Sequence, residues 1–389
     1  MDKLNTSEKK RLIVVLGMHR CGTSAITRGL EVMGVPLGDR LMLPDAGNND
    51  KGFWEDIDIN ELNVEMLRAL GNDWHQLSLL KKEDFAQLKR DGFFQRAAAL
   101  LQQKTLHTPI FGFKDPRISK LLAFWKEVFD AGNYDVSYIL AVRHPISVAL
   151  SLANRNGIDM EKSHLLWLIH VIKSLSGIEG NDFVVVDYDK LLQDASRELK
   201  RIADKFRLKI DMTALEMFQS EFLDPNLRHT EFRYEDLMSH ERSSDFLRDV
   251  FANVMSLTLD NQKDFDELPQ KTARWEAALE QLNLSFMMAD KAFTYIDIVH
   301  QQLVDKDVEI QQAKLENEAE VAKTNESIQK ANELAAHIDV LQQQLAEKDR
   351  IILEEKEENL SLRSSKSWRI TKPLRYVDRL LKNKNSKGQ

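Results

Sequence analysis

The stretch Arg11-Leu-Ile-Val-Val-Leu-Gly17-Met-His-Arg20-Cys21-Gly22-Thr23-Ser24 decides the fold, because an apolar run passes through a glycine-bounded loop into a helical pattern. This order predicts a strand, a loop and a helix N-terminus that turn backbone N–H groups toward an anion. The spacing approaches the nucleotide-binding pattern Gly-x4-Gly-Lys-Ser/Thr, but Thr23 stands at the lysine position. Arg20 supplies a cation inside the loop instead. The loop therefore favours a phosphate-like ligand other than the end of ATP.

Three further apolar runs predict buried strands, at residues 109–114, 136–143 and 182–187. Apolar residues spaced three and four apart predict helices at 57–70, 84–103, 118–129 and 146–153. This alternation predicts an α/β fold of the P-loop type, with a doubly wound, mainly parallel sheet. Because such folds bind ligands at the carboxyl ends of the strands, we expect residues 17–24, 114–117 and 143–151 at one edge.

Composition divides the 389 residues into four parts. We expect a disordered N-terminus at 1–10, a globular domain at 11–295, a coiled-coil helix at 297–362 and a basic amphipathic tail at 363–389. The net charge is −8 although the tail carries nine Lys/Arg and one acid, so the globular part is acidic. An acidic body argues against nucleic acid as a partner.

The helical segment and the tail each have two interpretations. The coiled-coil seam is formed by Leu334, Ile338, Leu341, Leu345 and Ile352, with Lys348 at one seam position. This spacing favours a homo-oligomer, and a single solvated helix is the alternative. In the tail, apolar residues such as Trp368 alternate with basic ones, which favours an anionic membrane surface over a merely solvated tail.

The sequence predicts a cytoplasmic protein, with the tail as a candidate for peripheral attachment to a membrane. No apolar run is long enough to cross a bilayer, and the N-terminus lacks the apolar core of a secretory signal. The single cysteine, Cys21, excludes an internal disulfide and fits a reducing compartment.

Two motifs in chain order resemble the sulfotransferases that use 3′-phosphoadenosine-5′-phosphosulfate (PAPS), in particular bacterial and carbohydrate-directed members. The family's loop reads Arg/Lys-Ser-Gly-Thr-Ser/Thr, and residues 20–24 read Arg-Cys-Gly-Thr-Ser, departing at Cys21 alone. The family also has an arginine at a strand end and a serine two helical turns later. Arg143 and Ser151 match that pair, and Pro145 suits the first turn of the helix between them.

The resemblance implies PAPS as the donor, 3′,5′-adenosine bisphosphate as the product and no required metal. Arg143 and Ser151 would bind the 3′-phosphate. The 5′-phosphosulfate would lie in the loop, on Gly17, Arg20, Cys21, Gly22, Thr23 and Ser24, with Arg20 also acting in catalysis.

The resemblance also implies a carboxylate that removes the proton of the acceptor hydroxyl. Glu55, in the segment Gly52-Phe-Trp-Glu-Asp56, is the favoured base, with a pKa raised by desolvation beside Trp54. Asp56 is the rival base, or else the N-cap of the following helix. Trp54 is a candidate for acceptor binding, since it could stack on a sugar ring, as could Trp74 and Trp167; core packing is the commoner role of such residues.

A third motif, Phe111-Gly-Phe-Lys-Asp-Pro-Arg117, adds two cations at a strand end. The motif resembles one of bacterial members of the family, which implies that the two cations stabilise the sulfuryl oxygens or hold an acidic acceptor. Lys114 is predicted to be catalytic and Arg117 to bind the acceptor. The alternative for Arg117 is a structural ion pair with Asp115. Arg228 and His229, in a polar stretch at 228–242 that we expect to be a loop, are weaker candidates for closing over the nucleotide.

Together these features predict a sulfotransferase acting on a hydroxyl of a glycan or glycolipid. The pattern Ser-x-Ser-Trp-Arg-x-Thr-x-Pro-Leu-Arg at 365–375 resembles the tail of bacterial enzymes that build surface polysaccharide, which implies a place on the inner face of a bacterial membrane. Two alternatives come from other classes: a P-loop kinase-like enzyme that uses a nucleoside triphosphate, and a non-catalytic coiled-coil scaffold.

Overall fold

The structure is a computed structural model that describes residues 9–45, 49, 51–223 and 232–385. The chain divides into two compact units, Met1–Tyr295 and Ile296–Gln389. The first unit holds a parallel sheet of four strands, and the described part of the second is helical.

The sheet consists of β1 (Arg11–Leu16), β2 (Ile110–Lys114), β3 (Asp135–Val142) and β4 (Asp182–Asp187). All neighbours are parallel, and their order is β2-β1-β3-β4. The prediction of four parallel strands is thereby confirmed. Because β2 and β3 lie on opposite sides of β1, the connections from β1 and from β3 leave a crevice at the carboxyl ends of these two strands.

Helices cover both faces of the sheet. Up to β3 they are α1 (Thr23–Val32), α2 (Ile57–Ala69), α3 (Lys82–Arg90), α4 (Phe93–Lys104) and α5 (Ile118–Ala131). They continue with α6 (Pro145–Asn156), α7 (Met160–Ile178), α8 (Tyr188–Gln193), α9 (Ala195–Phe206) and α10 (Met212–Met217), which a π-helical turn (Phe218–Phe222) follows. The remaining helices are α11 (Tyr234–Ser239), α12 (Asp245–Leu257), α13 (Gln262–Ser364), α14 (Lys366–Ile370) and α15 (Lys372–Asn385).

Two of the predicted boundaries are wrong. The single helix expected at 84–103 is two helices, α3 and α4, because Gly92 takes the left-handed conformation (φ +85°) that ends one helix and begins the next. The stretch at 228–242 is not all loop, because α11 lies inside it.

Alternate residues of β1 enter separate hydrophobic cores. Leu12, Val14 and Leu16 pack into the core shared with α2, α5 and α7, whereas Ile13 and Val15 pack into the core shared with α1 and α9. All five side chains are fully buried. A strand buried on both faces reads as a continuous apolar run, which is why it was recognisable in the sequence.

Helix α13 contributes to both units. Before residue 296 it buries Leu268, Trp275, Leu279 and Phe286 in the first core. From residue 300 to its end every side chain is exposed. Among the described residues, no helix is both long enough and apolar enough to cross a membrane.

Candidate functional site

The loop between β1 and α1 has a backbone that only glycine can follow at two points. Gly17 has φ +140°, and a Cβ there would lie 2.6 Å from the carbonyl oxygen of Ala141. Gly22 has φ +80°, and its Cβ would lie 2.0 Å from the Tyr188 ring. Strand β3 and the residue after β4 therefore press directly on the loop, and side chains are excluded from both contacts.

A cavity of about 730 Å³ opens at this loop, within the usual range for ligand pockets. Nine of the predicted site residues line it: Arg20, Gly22, Thr23, Ser24, Glu55, Lys114, Arg117, Arg143 and Ser151. The carboxyl ends of β1, β2 and β3 thus meet at one place, as the sequence predicts.

The cavity is strongly cationic although the protein is acidic overall. Among the described residues, its lining includes one carboxylate, Glu55, and six cationic side chains: Arg20, Lys51, Lys114, Arg117, Arg143 and Arg155. Like charges in a partly desolvated cavity repel one another, so an anionic ligand is the natural complement of this surface.

Arg143 is only 8% exposed and is held from two sides. Its guanidinium carbon lies 5.0 Å from the centre of the Tyr188 ring, and its carbonyl oxygen accepts a hydrogen bond from Trp167 Nε1 at 3.1 Å. Among the described residues, no hydrogen-bond partner is found for the buried Arg143 Nε. A buried donor without a hydrogen-bond partner costs free energy, and binding of an anion would supply that partner.

Arg20 and Ser151 meet across the cavity, since Arg20 Nε donates a hydrogen bond to Ser151 Oγ at 2.7 Å. Arg20 itself has φ +70°, a strained conformation for a non-glycine residue. Burial, and next the charge of Arg143, lower the pKa of Arg20 from its usual value. The residues predicted for the two ends of the donor therefore form one connected group.

The N-terminus of α1 faces the same cavity. Ile26 N–H is bonded to the Gly22 carbonyl, whereas the N–H groups of Thr23, Ser24 and Ala25 precede the first intrahelical bond. The Ser24 hydroxyl donates to the Phe53 carbonyl at 3.0 Å, which joins the loop to the segment that carries Glu55.

Glu55 and Lys114 form an ion pair at the base of the cavity, with 4% and 3% of their surfaces exposed. The other carboxylate oxygen of Glu55 accepts a hydrogen bond from Asn60 Nδ2 at 2.6 Å. Burial is the largest influence on Glu55 and raises its pKa, while the Lys114 charge opposes the rise. The raised pKa agrees with the sequence prediction and suits a proton acceptor working near neutral pH.

Asp56, the rival base, has the structural role. It is the N-cap of α2, accepting the N–H groups of Asp58 and Ile59 at 3.1 and 3.2 Å, and it pairs with Lys104 at 2.8 Å. It is absent from the described residues that line the cavity. The geometry therefore favours Glu55.

Arg117 combines both of the roles considered for it. Its Nη1 lies 3.0 Å from the buried Asp115 carboxylate, which is the structural ion pair. The side chain also lines the cavity, and its Nε has no hydrogen-bond partner among the described residues.

Gly17, Cys21 and Trp54 were predicted site residues, but the described lining of the cavity does not include them. Cys21 is fully buried, burial raises the pKa of its thiol to about 12, and its N–H is bonded to the Met18 carbonyl. Its thiol is therefore not in a position to contact a ligand.

Trp54 is oriented by its neighbours rather than by the cavity. Its Nε1 donates to the Lys51 carbonyl at 2.9 Å, Arg28 lies 5.2 Å from its ring centre, and Phe222 contacts it edge-on. The packing alternative for Trp54 fits these contacts. Arg228 and His229 lie outside the described residues.

The cavity also contains residues outside the predicted site, among them His19, Asn60, Trp74, Arg155 and Tyr188. Two of them had a usable signal. Arg155 follows Ser151 by four residues on α6, so the two share a helix face. Tyr188 directly follows β4, at the same edge as the other strand ends. Trp74 comes from the irregular segment after α2, where no periodicity marks it.

One acidic cluster of the described residues has metal-like spacing, formed by Asp39, Asp56 and Asp58. Lys104 Nζ lies 2.5, 2.8 and 2.7 Å from the three carboxylates. The ammonium group thus occupies the position that a metal ion would take and balances the charge of the carboxylates.

No protein-family model matches the chain, and no curated protein matches it either. Solved structures similar to it include the sulfotransferase domain of the Synechococcus PCC 7002 olefin synthase, at 16% identity and a TM-score of 0.35, covering 70% of this chain and 98% of that one. The sulfotransferase domain of the curacin biosynthetic pathway has 14% identity and a TM-score of 0.35, with 68% and 97% covered. A retinol dehydratase in complex with androsterone and inactive cofactor PAP has 13% identity and a TM-score of 0.30, with 70% and 81% covered.

The contact between Gly22 and Tyr188 gives a prediction with a matched control. Gly22→Ala and Gly71→Ala both place a Cβ at positive φ, at a cost of about 1–2 kcal/mol. A Cβ at Gly71 meets nothing within 4 Å, whereas at Gly22 it overlaps the Tyr188 ring. We expect Gly22→Ala to lose a further ~1–3 kcal/mol of unfolding free energy in urea titrations. Equal losses in the two variants would contradict this account of the loop.

Proposed function

We propose that the chain is a sulfotransferase that moves a sulfuryl group from PAPS to an acceptor hydroxyl. The observation that carries the proposal is the buried Nε of Arg143, which has no partner among the described residues, at a cavity whose described lining includes six cationic side chains. The motif resemblance supplies the identity of the donor, and the chemistry of the cavity fits its two anionic ends.

The donor has two anionic groups, a 3′-phosphate and a 5′-phosphosulfate. Arg143 and Ser151 would bind the 3′-phosphate, since an arginine fork matches a phosphate bidentately. Arg20, Thr23 and Ser24 would bind the 5′-phosphosulfate together with the free N–H groups at the start of α1. Tyr188, Leu192, Phe222 and Leu223 supply an apolar wall of the kind that a nucleobase requires.

In this proposal Glu55 takes the proton of the acceptor hydroxyl as the acceptor oxygen bonds to sulfur. The bond from sulfur to the bridging phosphate oxygen breaks, and its electron pair stays on the phosphate. Arg20 and the α1 N-terminus would stabilise that charge, and Lys114 the sulfuryl oxygens. The Lys114 charge opposes the rise in the pKa of Glu55 that burial causes, which favours the ionised form that a base requires.

For the acceptor we propose a hydroxyl of a glycan or glycolipid. The cavity wall carries the amide side chains of Asn60, Asn154 and Asn156, which donate and accept hydrogen bonds as sugar hydroxyls do. The pattern at 365–375 supports a surface-polysaccharide pathway.

A kinase-like reaction is the alternative from the same fold class. It needs a loop lysine and acidic residues that hold magnesium. Thr23 occupies the lysine position, and Glu55, the one carboxylate in the described lining, is paired with Lys114. A degenerate scaffold would have no reason to keep six cations around a buried carboxylate.

Calorimetry of the full chain with 3′,5′-adenosine bisphosphate tests the donor site. We expect Arg143→Gln to weaken binding by about tenfold or more, as loss of a charged hydrogen bond implies. Arg90→Gln, at an exposed position, should bind as the wild type does, and ATP with magnesium should bind poorly. Preference for ATP with magnesium, or indifference to Arg143→Gln, would contradict the proposal.

We also propose that α13 self-associates through the seam at 334–352. Ile338 lies in the seam and Val340 outside it, and their exposures are nearly equal, 46% and 48%. Ile338→Asp should therefore dissociate the oligomer in sedimentation equilibrium, while Val340→Asp should not. A monomeric wild type would support the solvated helix instead.

For the tail we propose attachment to an anionic membrane surface. Around α14 and α15, Ile370, Leu374, Tyr376 and Val377 are exposed among basic residues, while Arg375 packs 3.7 Å from the Trp368 ring centre. Apolar and cationic groups are thus presented together, as surface-bound helices require.

Vesicle flotation tests this attachment. The full chain should bind phosphatidylglycerol vesicles and not phosphatidylcholine ones. Lys372→Glu with Arg379→Glu should weaken binding by about tenfold or more, whereas Lys314→Glu with Lys323→Glu on α13 should not. Equal binding to both lipids, or none, would favour a solvated tail.

A further inference from the structure

Helix α6 presents a polar face to the cavity that extends beyond the proposed donor site. Ser147, Ser151 and Arg155 lie four residues apart and all line the cavity. Ser151 is bonded to Arg20, but Arg155, one turn further on, has no role in the donor chemistry proposed above.

Arg155 is held in place by an aromatic pair. Its guanidinium carbon lies 5.5 Å from the centre of the Trp74 ring, and the His19 ring lies 4.3 Å from the same ring. The segment that carries Trp74 is itself fixed, because Lys120 Nζ donates to the carbonyl oxygens of Asp73 and Gln76, both at 2.9 Å. Arg155 is half-buried, its Nε donates a hydrogen bond to Asn156 Oδ1, and its guanidinium is positioned against the Trp74 ring.

The charges around Arg155 are unbalanced. Among the described residues, no carboxylate lies within ion-pair distance of Arg155, and the nearby Arg117 keeps its Nε without a hydrogen-bond partner. Burial, and then the charges of Arg20 and Arg117, lower the pKa of Arg155 to about 10, with Glu55 opposing. Like charges repel one another in this part of the cavity. An anion bound among them would offset that repulsion.

This group is separate from the arginine assigned to the 3′-phosphate. Arg143 packs on Tyr188, which follows β4, whereas Arg155 packs on Trp74, which follows α2. Burial and the charge of Arg143 lower the pKa of Arg20, and the charge of Arg20 lowers the pKa of Arg155. Arg143 and Arg155 are thus two cations held by different aromatic side chains, and the donor proposal uses only Arg143.

We infer that Arg155 and Arg117 bind an anionic substituent of the acceptor glycan, a carboxylate or a phosphate on the sugar that receives the sulfuryl group or on its neighbour. The inference rests on the proposed function, because it takes Arg20, Arg143 and Ser151 to be occupied by the donor. Such a subsite would bind acidic glycans in preference to neutral ones as acceptors.

Calorimetry of the full chain saturated with 3′,5′-adenosine bisphosphate tests this inference with charged and neutral probes. The carboxylate pair is pentagalacturonate and its methyl ester, and the phosphate pair is mannopentaose 6-phosphate and mannopentaose. We expect one charged probe to bind at least tenfold more tightly than its neutral partner, and the winning pair identifies the anion. Arg155→Gln should remove that preference and change bisphosphate affinity less than twofold. The exposed Arg197→Gln should change neither.

Two results would overturn the inference. One is equal binding of charged and neutral probes in both pairs. The other is a preference that survives Arg155→Gln, whether or not that variant also loses bisphosphate affinity. If the wild type fails to bind bisphosphate, the proposed function fails instead. The charged and neutral probes are then compared without bisphosphate, so the subsite is still tested. Circular dichroism of Arg155→Gln shows whether it has folded, and the wild-type comparison does not depend on it.

Discussion

The buried ion pair between Glu55 and Lys114 is the interaction on which the rest of the site depends. It joins the segment before α2 to the end of β2, and Asn60 and Asp115 extend it as a hydrogen-bonded network. Burying two charges costs several kcal/mol per ion, so the pair persists only because each charge is matched by the other. Removing one partner of a buried pair typically costs about 3–5 kcal/mol, which fixes Glu55 in the cavity.

The parallel sheet explains why these groups meet. Parallel strands deliver their carboxyl ends to one edge, and the order β2-β1-β3-β4 places the glycine loop between Lys114 and Arg143. Gly17 and Gly22 let the loop pass against Ala141 and Tyr188 without side chains. Backbone geometry therefore brings the cations together, and the Glu55–Lys114 pair holds the buried carboxylate among them.

The sequence predicted the site correctly where its charged residues lie at or near the ends of regular strands. The strands are continuous apolar runs because both of their faces are buried. Lys114 is the last residue of β2, Arg143 directly follows β3, and Arg20 lies in the loop after β1. The prediction failed where position depends on irregular backbone. Trp54 has φ +57°, and its ring packs on Arg28 and Phe222 instead of in the cavity, which no residue pattern predicts. Trp74 enters the site only through contacts between distant segments.

We propose that this cavity transfers a sulfuryl group with Glu55 as the base. The decisive assay measures release of 3′,5′-adenosine bisphosphate from PAPS in the presence of acidic oligosaccharides. The account predicts that the wild type releases the product together with a sulfated oligosaccharide. It also predicts that Glu55→Gln still binds bisphosphate but turns over about 10²–10⁴-fold more slowly. Equal turnover in the two proteins, or wild-type release of bisphosphate without a sulfated acceptor, would contradict it.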